Sequence, residues 1–168
     1  SISVKVKASS GTIAINHEGD CKSFDIDSSS GKISIMQNGT IDQAKIHSSS
    51  GGVTAMLGTV NTLNVDVSSG GITLDADEIK DLTTKASSGH SAISLGTVPE
   101  ISSISCSSGG IEVSIPEDSD VTVHVSISSG EFNYELPFTK DGKNYINGNG
   151  TADMNIQCSS GDVSFHKV

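Results

Sequence analysis

The side chains in this chain that could carry out chemistry are mainly carboxylates and histidines. One group is predicted to share the outer face of one sheet near the C-terminal end: Glu112, Glu131, Glu135, Asp162 and His166. A pair of carboxylates on either side of a sugar can act as general acid and base in glycoside hydrolysis. No lysine is expected beside this group. It is therefore a candidate acidic patch for binding or catalysis, with plain solvated surface as the alternative.

The other reactive side chains lack the spacing that their chemistry needs. The five histidines occur at different phases of the sequence and form no metal-binding spacing such as HxxxH, so no metal is predicted. Asp25 and Asp27 lie about 7 Å apart by strand rise. Lysines are expected on either side of them, which favours ion pairs over a catalytic acid. The run from Glu117 to Asp120 is typical of a solvated acidic turn.

The three cysteines, Cys21, Cys106 and Cys158, are an odd number without motif spacing. Their sequence context predicts small buried side chains, and they do not indicate a redox compartment. No cofactor is predicted for the chain.

Composition excludes several classes of partner. The formal net charge is −10, and all ten positive charges are lysines. Nucleic-acid binding needs a basic face, so that function is excluded, and an acidic membrane surface is a poor partner. No apolar run approaches the ~20 residues that a membrane span requires, which predicts no membrane insertion within this chain. With aromatic content of 4%, no aromatic groove for stacking sugars is expected.

The elements that must position these side chains are organised around Ser-Ser-Gly, which occurs eight times. Its glycines are 19 to 21 residues apart, except for a last interval of 31: Gly11, Gly31, Gly51, Gly70, Gly89, Gly109, Gly130 and Gly161. Self-similarity with a period near 20 indicates a solenoid. Glycine tolerates the positive φ of a sharp corner. The serines have no histidine or aspartate at a fixed spacing, which favours a structural role over nucleophilic catalysis.

Apolar residues alternate on both sides of each corner, as Val4 and Val6 do before Gly11 and Ile13 and Ile15 do after it. This alternation predicts two strands per repeat, each with one buried face. The expected fold is all-β: a single-stranded parallel β-solenoid (β-helix) of about eight coils. The coils are expected to stack in chain order about 4.8 Å apart, with right-handed winding.

Charged residues at the outward positions support this register. Their sign alternates from coil to coil, as neighbours in a parallel stack require: Lys5 and Lys7, Asp25 and Asp27, Lys45 and His47, then Asp66 and Lys85. The chain is predicted to be one domain, 1–168, with an insertion at about 137–150 before the last coil. That insertion is expected to be a loop or hairpin that caps the solenoid, with a binding loop as the alternative.

The repeat Ser-Ser-Gly-x-Ile/Val, which ends in Ser159-Ser160-Gly161-Asp162-Val163, resembles a family of bacterial β-repeat proteins. That family is described as adhesins and is formally a domain of unknown function. The resemblance covers nearly the whole chain. It implies a β-solenoid in a surface-exposed or secreted bacterial protein, and it offers no catalytic residues to transfer.

The expected function is a non-enzymatic structural or adhesive module, located outside the cytoplasm at the cell surface or secreted. Its expected partner is a host or cell-surface protein or a glycan, and the sequence does not indicate the oligomeric state. No signal peptide is visible, so we expect the natural chain to begin further upstream. One alternative is a sensing or regulatory domain of an anchored envelope protein. The other is a polysaccharide-acting β-helix enzyme that uses the acidic patch.

Overall fold

The computed structural model describes residues 2–168, which form strands and tight corners without a helix. The strands are β1 (Ser3–Ala8), β2 (Ile13–Glu18), β3 (Cys21–Ser28), β4 (Ile33–Ser50), β5 (Val53–Ser69), β6 (Ile72–Ser88), β7 (Ser91–Leu95), β8 (Ile101–Ser108), β9 (Ile111–Ile115), β10 (Val121–Ser129), β11 (Phe132–Tyr134), β12 (Thr139–Asp141), β13 (Asn144–Asn147), β14 (Ala152–Ser160) and β15 (Val163–Lys167).

Two stacked faces enclose the core. The front sheet contains the strand segments that precede each Ser-Ser-Gly corner, in the order β1, β3, β4, β5, β6, β8, β14, β10. The back sheet contains the segments that follow each corner, in the order β2, β4, β5, β6, β7, β9, β15, β11. The strands β4, β5 and β6 contribute to both sheets. All these pairings are parallel, which confirms the predicted all-β solenoid with a period of about 20 residues.

The first six turns stack in chain order, but the last two segments exchange places. In the front sheet β14 lies between β8 and β10, so that Ile156 pairs with Ile104 on one side and Val125 on the other. In the back sheet β15 likewise lies between β9 and β11. The expected chain-order stack of eight coils is therefore wrong beyond the sixth. The exchange buries the apolar side chains of the final coil between two neighbours instead of leaving them at an open end.

The surplus residues before the final coil form the hairpin β12–β13. Strand β13 pairs antiparallel with the outer edge of β10, where Asn144 lies opposite His124. This pairing occupies the edge on which a further coil would otherwise stack. Five aromatic rings pack together beside it, with centroids 4.6 to 6.1 Å apart: Phe132, Tyr134, Phe138, Tyr145 and Phe165.

The positions predicted to point inward form one continuous core. Ile26, Leu63 and Ile104 are fully buried, whereas Val4 and Val6 in the first coil are half-buried. All three cysteines are buried, as the sequence predicted, and the structure shows them free. Cys106 and Cys158 are register partners on adjacent strands, and desolvation raises the pKa of both thiols above the ordinary value.

The corner glycines stack directly on one another, with φ between 94° and 141°. A Cβ added at Gly161 would collide with the carbonyl oxygen of Gly109 in the neighbouring coil, whereas one added at Gly11 would meet no atom within 4 Å. The corner therefore needs glycine for two reasons, the positive φ and the close approach of the next coil.

We expect Thr84→Val to stabilise the protein by about 1 kcal/mol. Thr84 points into the core, is 1% exposed, and its hydroxyl finds no hydrogen-bond partner among the described residues. An isosteric methyl group removes that desolvation cost without leaving a cavity. Urea unfolding measures the change. Thr83→Val, one residue away on the outer surface, is the control and should change stability by less than about 0.5 kcal/mol; equal effects of the two changes would contradict the assignment.

Candidate functional site

The structure brings three of the five predicted patch residues into direct contact. His166 lies between two carboxylates: its Nε2 is 3.8 Å from Glu112 Oε1, and its Nδ1 is 3.2 Å from Glu135 Oε1. His90, which the sequence did not indicate, extends the group, because its Nε2 lies 3.2 Å from Glu112 Oε2. The four residues form an alternating histidine–carboxylate line that runs diagonally across the back sheet.

This line exists because the last two coils exchange places. Strand β15 pairs directly with β9, which places Ser164 beside Glu112 and His166 beside Ser114. On its other side β15 meets β11, and the backbone N–H of Glu135 donates to the carbonyl of Phe165 at 3.0 Å. In a chain-order stack β11 would separate β9 from β15, and His166 would not reach Glu112.

The other two patch residues meet each other at the corner. Asp162 Oδ1 accepts a hydrogen bond of 2.9 Å from the backbone N–H of Glu131. The expectation that no lysine lies nearby is wrong. The backbone N–H of Lys167 donates to Glu135 Oε2 at 3.2 Å, and its ammonium lies 3.4 Å from Glu117 Oε1.

The geometry of the line favours paired charges over acid catalysis. The hydrogen bond from His166 lowers the pKa of Glu135, and the Lys167 backbone N–H adds to the effect. A general acid needs the opposite shift, because it must hold its proton near neutral pH. The imidazole of His166 also fills the space between Glu112 and Glu135 that a sugar would need. The line therefore acts as a set of surface histidine–carboxylate contacts that joins the last coil to its two neighbours.

We expect Glu135→Gln to destabilise the protein at pH 7 and to have no effect in strong acid. A carboxyl whose pKa is lowered by folding stabilises the folded state above its unfolded pKa, and this contribution disappears as the pH falls through the folded pKa. Urea unfolding of wild type and variant between pH 7 and pH 2 measures the difference. The control is Glu131→Gln, because Glu131 uses only its backbone N–H in the contact described above. If the difference in free energy of unfolding between wild type and variant did not change with pH, the pairing of Glu135 with His166 would be contradicted.

The charge ladder on the front sheet has the predicted register. Lys5 pairs with Asp25 and Lys7 with Asp27 in adjacent strands. Contacts at ion-pair distance are Lys7 to Asp27 at 4.0 Å and His47 to Asp66 at 3.9 Å. Exposed pairs of this kind each stabilise by at most about 1 kcal/mol, so the ladder specifies register more than it adds stability.

A trough lies beside the hairpin, and the sequence did not indicate it. It has two parts that meet at Lys143, with volumes of about 760 and 340 Å³. Asn144, Asn155 and Gln157 are among the polar residues of the larger part. Aromatic rings from Phe132 and Tyr145 line the smaller part, together with Lys140. The expectation that the chain has no aromatic groove is therefore wrong.

The floor of the trough is held by hydrogen bonds. His124 Nε2 lies 2.8 Å from Asp153 Oδ1, and its Nδ1 lies 2.5 Å from Asn144 Oδ1. Lys140 Nζ lies 5.7 Å from the centroid of the Tyr145 ring. Within residues 2–168 neither Lys140 nor Lys143 has a carboxylate within 4.0 Å, unlike Lys7 and Lys167. A ligand carboxylate could therefore pair with the Lys143 ammonium, and with that of Lys140 where it lies over the Tyr145 ring.

One signal in the sequence could have indicated the trough. Five of the six aromatic residues lie between positions 132 and 165, close to the interrupted repeat. Their number is too small to affect the composition, but their position indicates a local aromatic cluster.

Among the described residues no group of three or more His, Cys, Asp or Glu side chains is placed to hold a metal ion. In that same range no helix is long and apolar enough to cross a membrane.

A family model described as Toastrack DUF4097 matches residues 2–166. No curated protein and no solved structure matches the chain.

Proposed function

The chain belongs to the Toastrack DUF4097 family, and we propose that it is a non-enzymatic binding module displayed at the cell surface or secreted. The observation that carries this proposal is the trough at Lys143, which combines free ammonium groups, amide side chains and aromatic rings. Concave sites with a few convergent polar groups and aromatic walls are typical of ligand binding. The fold adds a stiff support, because each coil is hydrogen-bonded to its neighbours along both sheets.

The histidine–carboxylate line does not supply a competing site. Its carboxylates are already paired with histidines on an exposed sheet face, where their side chains are 48% and 53% exposed. A catalytic carboxylate pair needs a substrate-sized gap between its members and a site that limits access of water. An adhesive role, with a host or cell-surface protein or a glycan as partner, uses the trough instead.

A binding screen on the purified chain tests this proposal. We expect saturable binding on at least one of two arrays, one of glycans and one of extracellular-matrix and cell-surface proteins. We also expect antibodies against the chain to label intact cells of the source organism. Heat-unfolded chain is the control for nonspecific adsorption. Absence of binding on both arrays, together with labelling only after cells are permeabilised, would overturn the proposal.

A further inference from the structure

We propose that the trough binds an acidic polysaccharide, with its carboxylate groups at Lys143 and Lys140 and its sugar rings against Tyr145. This inference rests on the proposed binding function and names the ligand class for the same site. Three features of the trough carry it: its charge, its amide-rich surface and its half-buried aromatic rings.

The charge of the trough is opposite to that of the protein. The chain has a net charge of −10, yet Lys140 and Lys143 lie three residues apart on one hairpin, and both are exposed. The one acidic residue between them, Asp141, lies in β12 opposite Asn144. Asp153, the carboxylate nearest the floor, is held by His124 at 2.8 Å. The site therefore presents ammonium groups that a carboxylate ligand can pair with.

The larger part of the trough continues onto the outer surface of the front sheet, where charged side chains give way to uncharged ones along the stack. The outward positions of the first five coils carry Lys, Asp or His, whereas those of the last three are dominated by uncharged hydrogen-bonding groups: Ser103, Ser105, Asn155, Gln157 and Ser126. These side chains both donate and accept hydrogen bonds. They match the hydroxyl groups of a sugar.

The smaller part of the trough supplies an apolar surface of fixed orientation. The rings of Phe132 and Tyr145 are 4.6 Å apart and nearly perpendicular, at 69°. Phe165 packs against Phe132 at 5.8 Å, and Phe138 packs against Tyr145 at 6.1 Å. Because neighbouring rings hold them, these aromatics lose little freedom when a ligand binds. The apolar C–H face of a sugar ring packs well on such a surface.

The same features argue against other polymers. A neutral polysaccharide would leave the two lysines without partners. A nucleic acid is usually bound by a basic face with arginine forks on its phosphates, and this chain has no arginine. An acidic polysaccharide combines carboxylates with hydroxyl groups and apolar ring faces, which are the three kinds of contact that the trough offers.

Calorimetric titration of the folded chain with a short oligogalacturonate tests the inference. The comparison ligand is the same oligosaccharide after its carboxyl groups have been reduced to alcohols. We expect the acidic form to bind at least about tenfold more tightly, and K140Q/K143Q to lose that difference. Lys7→Gln is the matched control. It removes one charge from the same sheet at the opposite end of the stack, and we expect unchanged affinity.

Each other outcome has a definite meaning. Equal affinity for both ligands, or full affinity in K140Q/K143Q, overturns the inference and leaves the binding function in place. Binding of a protein partner without any glycan binding also overturns the inference and leaves the binding function in place. If neither array nor titration detects any ligand, the proposed function fails together with the inference. Circular dichroism of K140Q/K143Q shows whether the variant is folded, and Asn155→Leu provides a second probe on the amide side, where we expect weaker binding.

Discussion

Ile104→Asp is expected to abolish cooperative folding. Ile104 lies in the middle of the front sheet, paired with Thr84 on one side and Ile156 on the other, and it is 0% exposed. A carboxylate at this position would be buried with no cation nearby in the core. The cost of such a buried unpaired charge is about 4 kcal/mol or more, which is comparable to the whole stability of many domains. Thermal melting followed by circular dichroism measures the loss.

The matched control is Ser103→Asp, which adds the same carboxylate one residue earlier, where the side chain points to solvent. We expect this variant to melt within a few degrees of wild type. A soluble Ile104→Asp variant with an unchanged melting temperature would show that the inward assignment of β8 is wrong.

Gly161→Ala is expected to destabilise the protein by about 3 kcal/mol or more. Gly161 has φ of 138°, a conformation that side chains disfavour. The added Cβ would also collide with the Gly109 carbonyl in the coil above. Relief of that collision requires the final coil to move away from the sixth, which weakens the packing of Val163 and Phe165. Chemical denaturation measures the effect.

Gly11→Ala separates the two causes. Gly11 occupies the same place in the repeat and has φ of 94°, but a Cβ there meets nothing within 4 Å. We expect this control to lose only the stability that the positive φ costs a residue with a Cβ, about 1 to 2 kcal/mol. If both alanine variants lost the same amount of stability, the close stacking of the exchanged coil on Gly109 would be refuted.

The fold of each coil could be predicted from the sequence because its determinants are local. Alternation of apolar residues, a glycine at each corner and a near-constant period specify two strands and their register. The order of the coils could not be predicted in the same way. Every corner has the same Ser-Ser-Gly, and the inward residues of the front strands in the last three coils are similar in size. Val125, Ile156 and Ile104 would pack equally well in either order.

The geometry of the candidate sites depends on the order of the coils, so only part of it could be predicted from the sequence. Glu112, Glu135 and His166 were predicted to share a face because the outward positions follow from register alone. The contacts of His166 with Glu112 and Glu135 require β15 to lie between β9 and β11, whereas the contact of His90 with Glu112 joins coils that are neighbours in chain order. The trough depends on the hairpin returning to β10. That pairing joins residues about 20 apart in a segment without the repeat pattern, so neither period nor alternation indicated it.

The exchange of the last two coils also determines the sequence of events by which the chain can fold. Residues 3–115 can add one coil after another to a growing end as synthesis proceeds. Until β14 and β15 are present, the next segment, 121–134, can pair with the hairpin strand β13 but not with the stack, because its parallel partners are the last strands of the chain. We infer that the C-terminal third closes in one late step, and pulse-labelling hydrogen exchange would detect protection in β4 to β6 before β10. A nascent chain stalled before position 152 therefore exposes the apolar edge of β8 and β9, where the wrong coil can stack.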